Sequence, residues 1–221
     1  GLRVNVFNNK IFLKKINLKN NKNFIIVNSL KKIKKFKFNN IFITTKITSD
    51  LGKIFLDIEK FVDNKTLIIT PCTSLPFWWY LCLKRKYFRK FEKKMKNIFL
   101  KNIKRKNLVG MTMWLSGKIL KPGKVNITHI QRGFPIKEVF DKNSDKVTNL
   151  RKEISKTCLS PKVKNIFSEI FIKSINSLAF NLIALKYEQN NYQLKNNKKA
   201  KKEILEILKE GDNILKKNNI K

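Results

Sequence analysis

The sequence predicts an α+β protein, because short strand-like segments alternate with strongly periodic helical segments along its 221 residues. Hydrophobic residues make up 42 % of the chain, which is enough apolar material for a core. The pattern divides the chain into three predicted domains. These are an α/β domain at 1–72, a basic helix packed on a small sheet at 77–136, and a helical C-terminal extension at 137–221.

The first domain is predicted to contain strands around a helix. β-Branched and apolar residues predict strands at 41–47 and at 66–70. Between these strands, Ser49 or Asp50 can cap a helix that runs to about Val62. Ahead of this strand, helix and strand, the sequence predicts a strand or extended arm at 1–16 and a strand at 24–27, and it allows a further strand in the KKIKKFKF stretch.

The second domain begins with a predicted long basic helix at 77–106, in which apolar residues recur every three or four positions. Acidic partners are nearly absent, since only Glu92 interrupts the basic run, so we interpret this helix as RNA-binding rather than as a solvated face. After it the hydrophobic period switches. This switch predicts strands at 108–115 and 124–130, joined by a turn that includes Gly117.

The third domain is predicted to be helical from about 137 onward. Ser160, followed by a proline, is a predicted N-cap, and a wide apolar stripe at 163–185 predicts a long helix after it. A last amphipathic helix covers 204–215, and Gly211 is expected to weaken it.

Charge is the feature that carries most information about function. Fifty Lys and Arg stand against fifteen Asp and Glu, so the net charge is +35. A compact chain with this charge repels itself, and nucleic acid is the usual polyanion that relieves the repulsion. Only six of the basic residues are arginine, and Asn, Ile and Phe are abundant. This bias indicates A/T-rich coding, as in an organelle genome.

Recognisable catalytic parts are missing from the sequence. The one histidine, His129, lies on an alternating segment and is predicted to be a strand residue. Cys72, Cys82 and Cys158 have neither disulfide-framework nor zinc spacing, and there is no Walker loop or G-x-G-x-x-G. No apolar run reaches the roughly 18–20 residues of a membrane span. We therefore predict no enzyme, no cofactor, no metal site and no membrane span.

Three segments in order resemble a single family. They are Gly1-Leu2-Arg3-Val4, the stretch GKIFLDIEKF at 52–61, and the stretch KRKYFRKFEKKMKN at 84–97 with the later Ser-Gly-Lys at 116–118. Together they resemble the KH-domain protein of the small ribosomal subunit, ribosomal protein family three, which lies at the mRNA entry. The resemblance implies a KH-like fold for 1–72. It also implies a changed RNA grip, because Phe55 replaces the second loop glycine.

The resemblance implies a structural constituent of an organelle ribosome, bound to rRNA, mRNA and neighbouring small-subunit proteins, with no small-molecule substrate. The mitochondrial matrix is the predicted location, and the plastid is the alternative. The implied RNA-binding residues are Gly52, Lys53, Lys84, Arg85, Lys86, Arg89, Lys90, Lys93, Lys94 and Lys118. Alternative functions are an RNA-processing or maturase-like factor, or a basic peripheral subunit of an organelle membrane complex.

The aromatic run Trp78, Trp79 and Tyr80 has two interpretations. The side chains could stack on bases, as aromatics on basic surfaces do. They could instead cover the apolar core between the two halves of the chain, and we favour this second interpretation.

Overall fold

The structure is a computed structural model. It describes residues 5–8, 29–33, 37–45, 51–72, 75–76, 78–79, 103–121, 124–140 and 144–217. Most of the predicted basic helix at 77–106 lies outside these ranges.

The described residues form β-strands and α-helices in one chain, which confirms the predicted α+β class. The strands are β1 Asn5–Asn8, β2 Asn40–Phe42, β3 Leu67–Cys72, β4 Leu108–Thr112, β5 Trp114–Lys121, β6 Lys124–Gly133 and β7 Ile136–Glu138. The helices are α1 Leu51–Glu59, α2 Asp145–Ser155, α3 Ile166–Tyr187, α4 Asn191–Leu194 and α5 Lys198–Lys217.

The strands form two sheets. The larger has the order β2-β3-β4-β7, in which β2, β3 and β4 are parallel and β7 is antiparallel to β4. The segment β2-α1-β3 is therefore a β-α-β unit, in which helix α1 connects two parallel neighbouring strands. The smaller sheet has the order β1-β6-β5, with a long β5–β6 antiparallel hairpin.

Helices cover both faces of the larger sheet. On β3, Ile68 belongs to one buried cluster, whereas its neighbours Leu67 and Ile69 belong to another on the opposite face. The first cluster is completed by Phe55 of α1 and by residues of α3, and the second by residues of α2, including Leu150. The result is a helix–sheet–helix arrangement, which is typical of parallel sheets buried on both sides.

The two tryptophans of the aromatic run are core residues. Trp78 and Trp79 are both buried, and their rings pack against Phe167 at centroid distances of 5.6 Å and 5.2 Å. The Trp78 indole donates a hydrogen bond to the Thr70 hydroxyl at 3.2 Å. Their interpretation as core is therefore confirmed, and stacking on RNA bases is wrong for these two residues. Tyr80 lies outside the described residues.

Two segments that were predicted as loops or turns are regular structure. Gly52 and Lys53 lie in the first turn of α1, so 52–61 is not a KH loop followed by a helix. Ser116, Gly117 and Lys118 lie inside β5, where Gly117 pairs with Ile127. The KH-like topology is not confirmed by these elements.

The predicted helical start of the third domain is also wrong. Strand β7 occupies Ile136–Glu138, and α3 is capped by Asn165, whose side chain accepts hydrogen bonds from the Phe167 and Ser168 amides. Ser160 instead donates its hydroxyl to the Phe134 carbonyl at 2.7 Å. The Ser160 side chain therefore links two loops and is not a helix cap.

Helix α3 has 22 residues, and its length and composition would allow it to cross a membrane. Core helices of proteins outside membranes can have the same length and composition. Ile166 and Ile170 of its first turns lie in the core, and Ala179 and Ile183 pack against Ile204 of α5. Both halves of α3 thus contact other elements of the chain.

Gly211 has a packing role at the contact between α3 and α5. A β-carbon at this position would lie 2.5 Å from Cγ1 of Ile175 on α3. Glycine is expected to weaken the last helix, but at this position it also allows α3 and α5 to pack closely together.

Candidate functional site

Of the predicted RNA-binding residues, Gly52, Lys53 and Lys118 lie in the part of the chain that the structure describes. Residues 84–94 of that set lie outside the described ranges. Gly52 and Lys53 are on α1, which packs on the larger sheet, whereas Lys118 is exposed on β5 of the smaller sheet. A β-carbon at Gly52 would meet no other protein atom within 4 Å.

A cavity of about 640 Å³ lies elsewhere, between the β5–β6 hairpin and α3. Its wall carries two cationic side chains, two aromatic rings and several amide or hydroxyl groups. The lining residues are Trp114, Gln131, Arg132, Lys173, Asn176, Ser177, Phe180, Asn181 and Asn191. Convergent polar groups in a concave site make this cavity the candidate ligand site, although its wall is more polar than that of most small-molecule pockets.

Helical spacing brings the α3 residues to one wall. Lys173, Ser177 and Asn181 are four residues apart, so they lie one above another on the same helix face. The Asn165 cap fixes where the helix begins and thereby sets this register. The opposite side of α3 is held by Gly211 of α5, as described above.

The second cation, Arg132, comes from the end of β6. Its Nη2 donates to Oε1 of Glu169 on α3 at 2.8 Å, and the Glu169 side chain is only 12 % exposed. Next to Arg132, Gly133 adopts a left-handed backbone with φ 69°, and the following Phe134 amide donates to the Leu159 carbonyl at 2.8 Å. These bonds fix the strand end from which Arg132 projects.

The ring of Trp114 lies near both cations. The Arg132 guanidinium carbon lies 5.8 Å from the centroid of its ring, and Nζ of Lys173 lies 5.0 Å from it. Both distances are within the range of cation–π attraction. Trp114 is buried, with 7 % of its surface exposed. Its indole Nε1 has no hydrogen-bond partner among the described residues. Trp114 therefore acts as an apolar support for two positive charges.

The electrostatics of the pocket favour an anion. Burial lowers the pKa of Lys173 from its ordinary value, because desolvation disfavours the ammonium form. Glu169 is already engaged with Arg132. A bound carboxylate would restore the charge balance, and Lys173 is suited to hold or donate a proton at Nζ.

No metal centre is found in the described ranges, since no three His, Cys, Asp or Glu residues come together there. His129 lies in β6 opposite Ser116, as the alternating segment predicted.

Sequence reasoning missed Lys173 and Arg132. The apolar stripe at 163–185 was interpreted as core, and Arg132 lies just beyond the strand predicted at 124–130 and was given no role. The available signal was local: Lys173, Ser177 and Asn181 recur at a four-residue interval within an otherwise apolar helix.

Comparison with known proteins identifies the fold. No family model matches the chain, and no curated protein matches it. Among solved structures, the complex of D-mandelate dehydrogenase with NADH matches with a TM-score of 0.63 and 16 % identity, over 84 % of this chain and 56 % of that one. Its ternary complex with NADH and anilino(oxo)acetate gives 0.61 and 15 %, over 87 % and 56 %. The 2-dehydropantoate 2-reductase from Porphyromonas gingivalis W83 gives 0.59 and 12 %, over 81 % and 55 %.

The chain thus spans a little over half the length of these dehydrogenases and reductases. Their fold contradicts the resemblance to ribosomal protein family three, and with it the predicted ribosomal function, RNA-binding and KH assignments. The predicted partners are corrected too, since the similar structures are of enzymes that act on small molecules. The prediction that the chain is not an enzyme is contradicted for the same reason. The two alternative functions, RNA processing and a membrane complex, gain no support.

The physical reason for the error lies in the charge. A/T-rich coding raises the lysine content without any selection for RNA binding, and the three matching segments were each short. The domain boundaries and the mitochondrial location remain predictions.

Proposed function

We propose that the protein acts in the interconversion of 2-oxo and 2-hydroxy carboxylic acids, and that the pocket of Arg132 and Lys173 binds the substrate. The observation that carries the proposal is the placing of two cations in one concave site, 5.8 Å and 5.0 Å from one indole ring. In the same proposal, the parallel strands β2, β3 and β4, with helix α1 between β2 and β3, are part of a Rossmann-like domain.

Substrate chemistry accounts for the two cations. A guanidinium can bind a carboxylate with two parallel hydrogen bonds, which suits Arg132 as the anchor of the acid group. The oxygen on the neighbouring carbon then needs a donor that can also hold or release a proton, which suits Lys173. Asn176, Ser177 and Asn181 supply further hydrogen-bonding groups along the same wall.

The names of the similar structures agree with this chemistry. Mandelate is a 2-hydroxy acid, and anilino(oxo)acetate and 2-dehydropantoate are 2-oxo acids. Each has a carboxylate next to a carbon that bears the oxygen. A pocket with one fixed guanidinium and one lysine whose pKa is lowered by burial is complementary to this pair of groups.

NADH is the redox partner named for D-mandelate dehydrogenase. The sequence has no G-x-G-x-x-G, and residues 46–50, which lead into α1, are outside the described ranges. We therefore assign to this pocket the binding of the acid and the placing of a proton at Lys173, and no step that involves the nicotinamide.

The test is substrate binding and turnover in the full chain with Lys173→Met. We would measure binding of 2-oxo-2-phenylacetate and 2-dehydropantoate by calorimetry, and their reduction with NADH or NADPH by the absorbance of the reduced nicotinamide. Loss of a proton donor predicts a fall in kcat/KM of about 100-fold. Lys201→Met, on the exposed face of α5, is the matched control and should leave both readouts unchanged.

Two results would count against the proposal. One is that the wild-type chain binds neither acid. The other is that Lys173→Met and Lys201→Met behave alike.

A further inference from the structure

Glu169 contacts one of the two pocket cations, Arg132, yet it is not among the residues that line the cavity. It is almost buried, with 9 % of its surface exposed, and it lies one helical turn before Lys173 on α3. Burying a carboxylate is costly unless a charged or hydrogen-bonding partner compensates for it. Here the partner is Arg132, at 2.8 Å.

The Glu169 carboxylate is used asymmetrically. Oε1 accepts the hydrogen bond from Arg132, while Oε2 is buried and has no partner among the described residues. A guanidinium carries five N–H donors in a rigid plane. Since the Arg132 side chain is 45 % exposed and lines the cavity, its other donors remain available to a ligand.

The contact restricts where Arg132 can point. The Arg132 guanidinium is hydrogen-bonded to Glu169 and lies near the Trp114 ring. Its backbone precedes the left-handed turn at Gly133. An arginine that is free to rotate loses rotamer entropy when it is immobilised by a ligand. An arginine that is already fixed avoids most of that cost at the moment of binding.

We infer that Glu169 is a positioning residue, which holds the Arg132 guanidinium in the orientation that binds the carboxylate of the substrate. This inference rests on the function proposed above. It makes Glu169 and Arg132 one unit: removing either should weaken binding of a carboxylate, and removing both should cost no more than removing Arg132 alone.

The experiment is a double-mutant cycle with two probes, 2-oxo-2-phenylacetate and its neutral amide, whose binding to the full chain is measured by calorimetry. The variants are Glu169→Gln, which keeps the shape of the side chain, Arg132→Ala, and the double variant. Glu153→Gln is the control, because Glu153 is exposed and pairs with Lys156 away from the cavity. Thermal unfolding of each variant verifies that it is folded.

We expect Glu169→Gln to weaken binding of the acid about tenfold, or about 1.4 kcal/mol, and to leave binding of the amide within about twofold. The double variant should match Arg132→Ala. Where turnover is measurable, the loss should appear in KM rather than in kcat, because Glu169 does not touch the reacting carbon. A general loss of structure would weaken both probes equally, and would contradict the inference.

The outcomes separate the two proposals. If Arg132→Ala removes the preference for the acid over the amide but Glu169→Gln does not, the positioning role is wrong and the substrate pocket stands. If the wild-type chain shows no preference for the acid, both proposals are refuted.

Discussion

Replacing Gly133 by alanine tests whether the turn at the end of β6 determines the position of Arg132. Gly133 has φ 69°, a left-handed conformation that costs a residue with a β-carbon about 1–2 kcal/mol. The new β-carbon would also collide with the Leu159 carbonyl oxygen, which accepts the hydrogen bond from the Phe134 amide. Both atoms of that bond belong to the backbone, so neither can move aside as a flexible side chain could.

Breaking the bond between Phe134 and Leu159 costs a further net 0.5–1.5 kcal/mol, roughly, and more if the buried amide finds no new partner. The expected loss of stability is therefore about 2–4 kcal/mol, which corresponds to a fall in Tm of roughly 5–15 °C for a chain of this size. Urea unfolding followed by circular dichroism measures it. Calorimetry on the folded fraction should show weaker binding of 2-oxo-2-phenylacetate, since Arg132 is the neighbouring residue.

Two further variants make the result interpretable. Gly52→Ala is the matched control, because a β-carbon there meets nothing within 4 Å, and it should stabilise α1 by about 0.5 kcal/mol. Gly133→Asn accepts the left-handed conformation more readily but keeps the collision, so it should recover only part of the loss. If Gly133→Ala unfolds within about 0.5 kcal/mol of the wild type, the reasoning about this turn is wrong.

Three more predictions follow from the same geometry. Burial lowers the pKa of Lys173, so its ammonium group should lose its proton at a lower pH than an ordinary lysine does. Affinity for a carboxylate should therefore fall as the pH is raised into the alkaline range. Lys173→Arg should abolish that fall, because arginine keeps its charge there. Gly211→Ala should destabilise the fold by about 1–2 kcal/mol in urea unfolding despite its better helix propensity, and Ile175→Ala in the same chain should relieve the crowding at 2.5 Å. The hydrogen bond from the backbone amide of Lys65 is the main cause that lowers the pKa of Asp63. The Asp63 carboxylate therefore stabilises the fold above its unfolded-state pKa, and this stabilisation is lost as pH falls through the lower folded-state pKa. Asp63→Asn should be less stable than the wild type near neutrality, and the stabilities of the two proteins should converge in acid unfolding.

Elements that depend on local periodicity could be predicted from the sequence. The helix expected after Asp50 is α1, which begins at Leu51. The apolar stripe at 163–185 coincides with most of α3, and the last amphipathic segment lies within α5. In each case the 3.6-residue period of the buried side chains was visible without knowing what they pack against.

Elements that depend on distant partners were not predictable in the same way. Ser116 and Gly117 have a turn-like sequence, but they extend β5 because β6 lies alongside them and supplies the pairing. Ser160 resembles a helix cap, yet its hydroxyl donates to the Phe134 carbonyl. In both cases a tertiary partner overrode a local preference.

The candidate site was hidden for a related reason. Arg132 and Lys173 meet only when the β5–β6 hairpin packs near α3, and nothing in their immediate sequence links them. Glu169 looked like one of fifteen scattered acids, and its burial against Arg132 is a property of the fold.

The net charge of +35 and the charge of the pocket have different effects on an anionic ligand. Surface lysines attract anions of every kind, and at physiological salt their influence decays over about 8 Å. Such a field raises the rate of encounter but cannot distinguish a small 2-oxo acid from RNA. Discrimination requires cations of fixed geometry, such as Arg132 held by Glu169 and Lys173 beside Trp114. A strongly basic composition is therefore compatible with a small-molecule enzyme, because selectivity comes from a few oriented charges and not from their total.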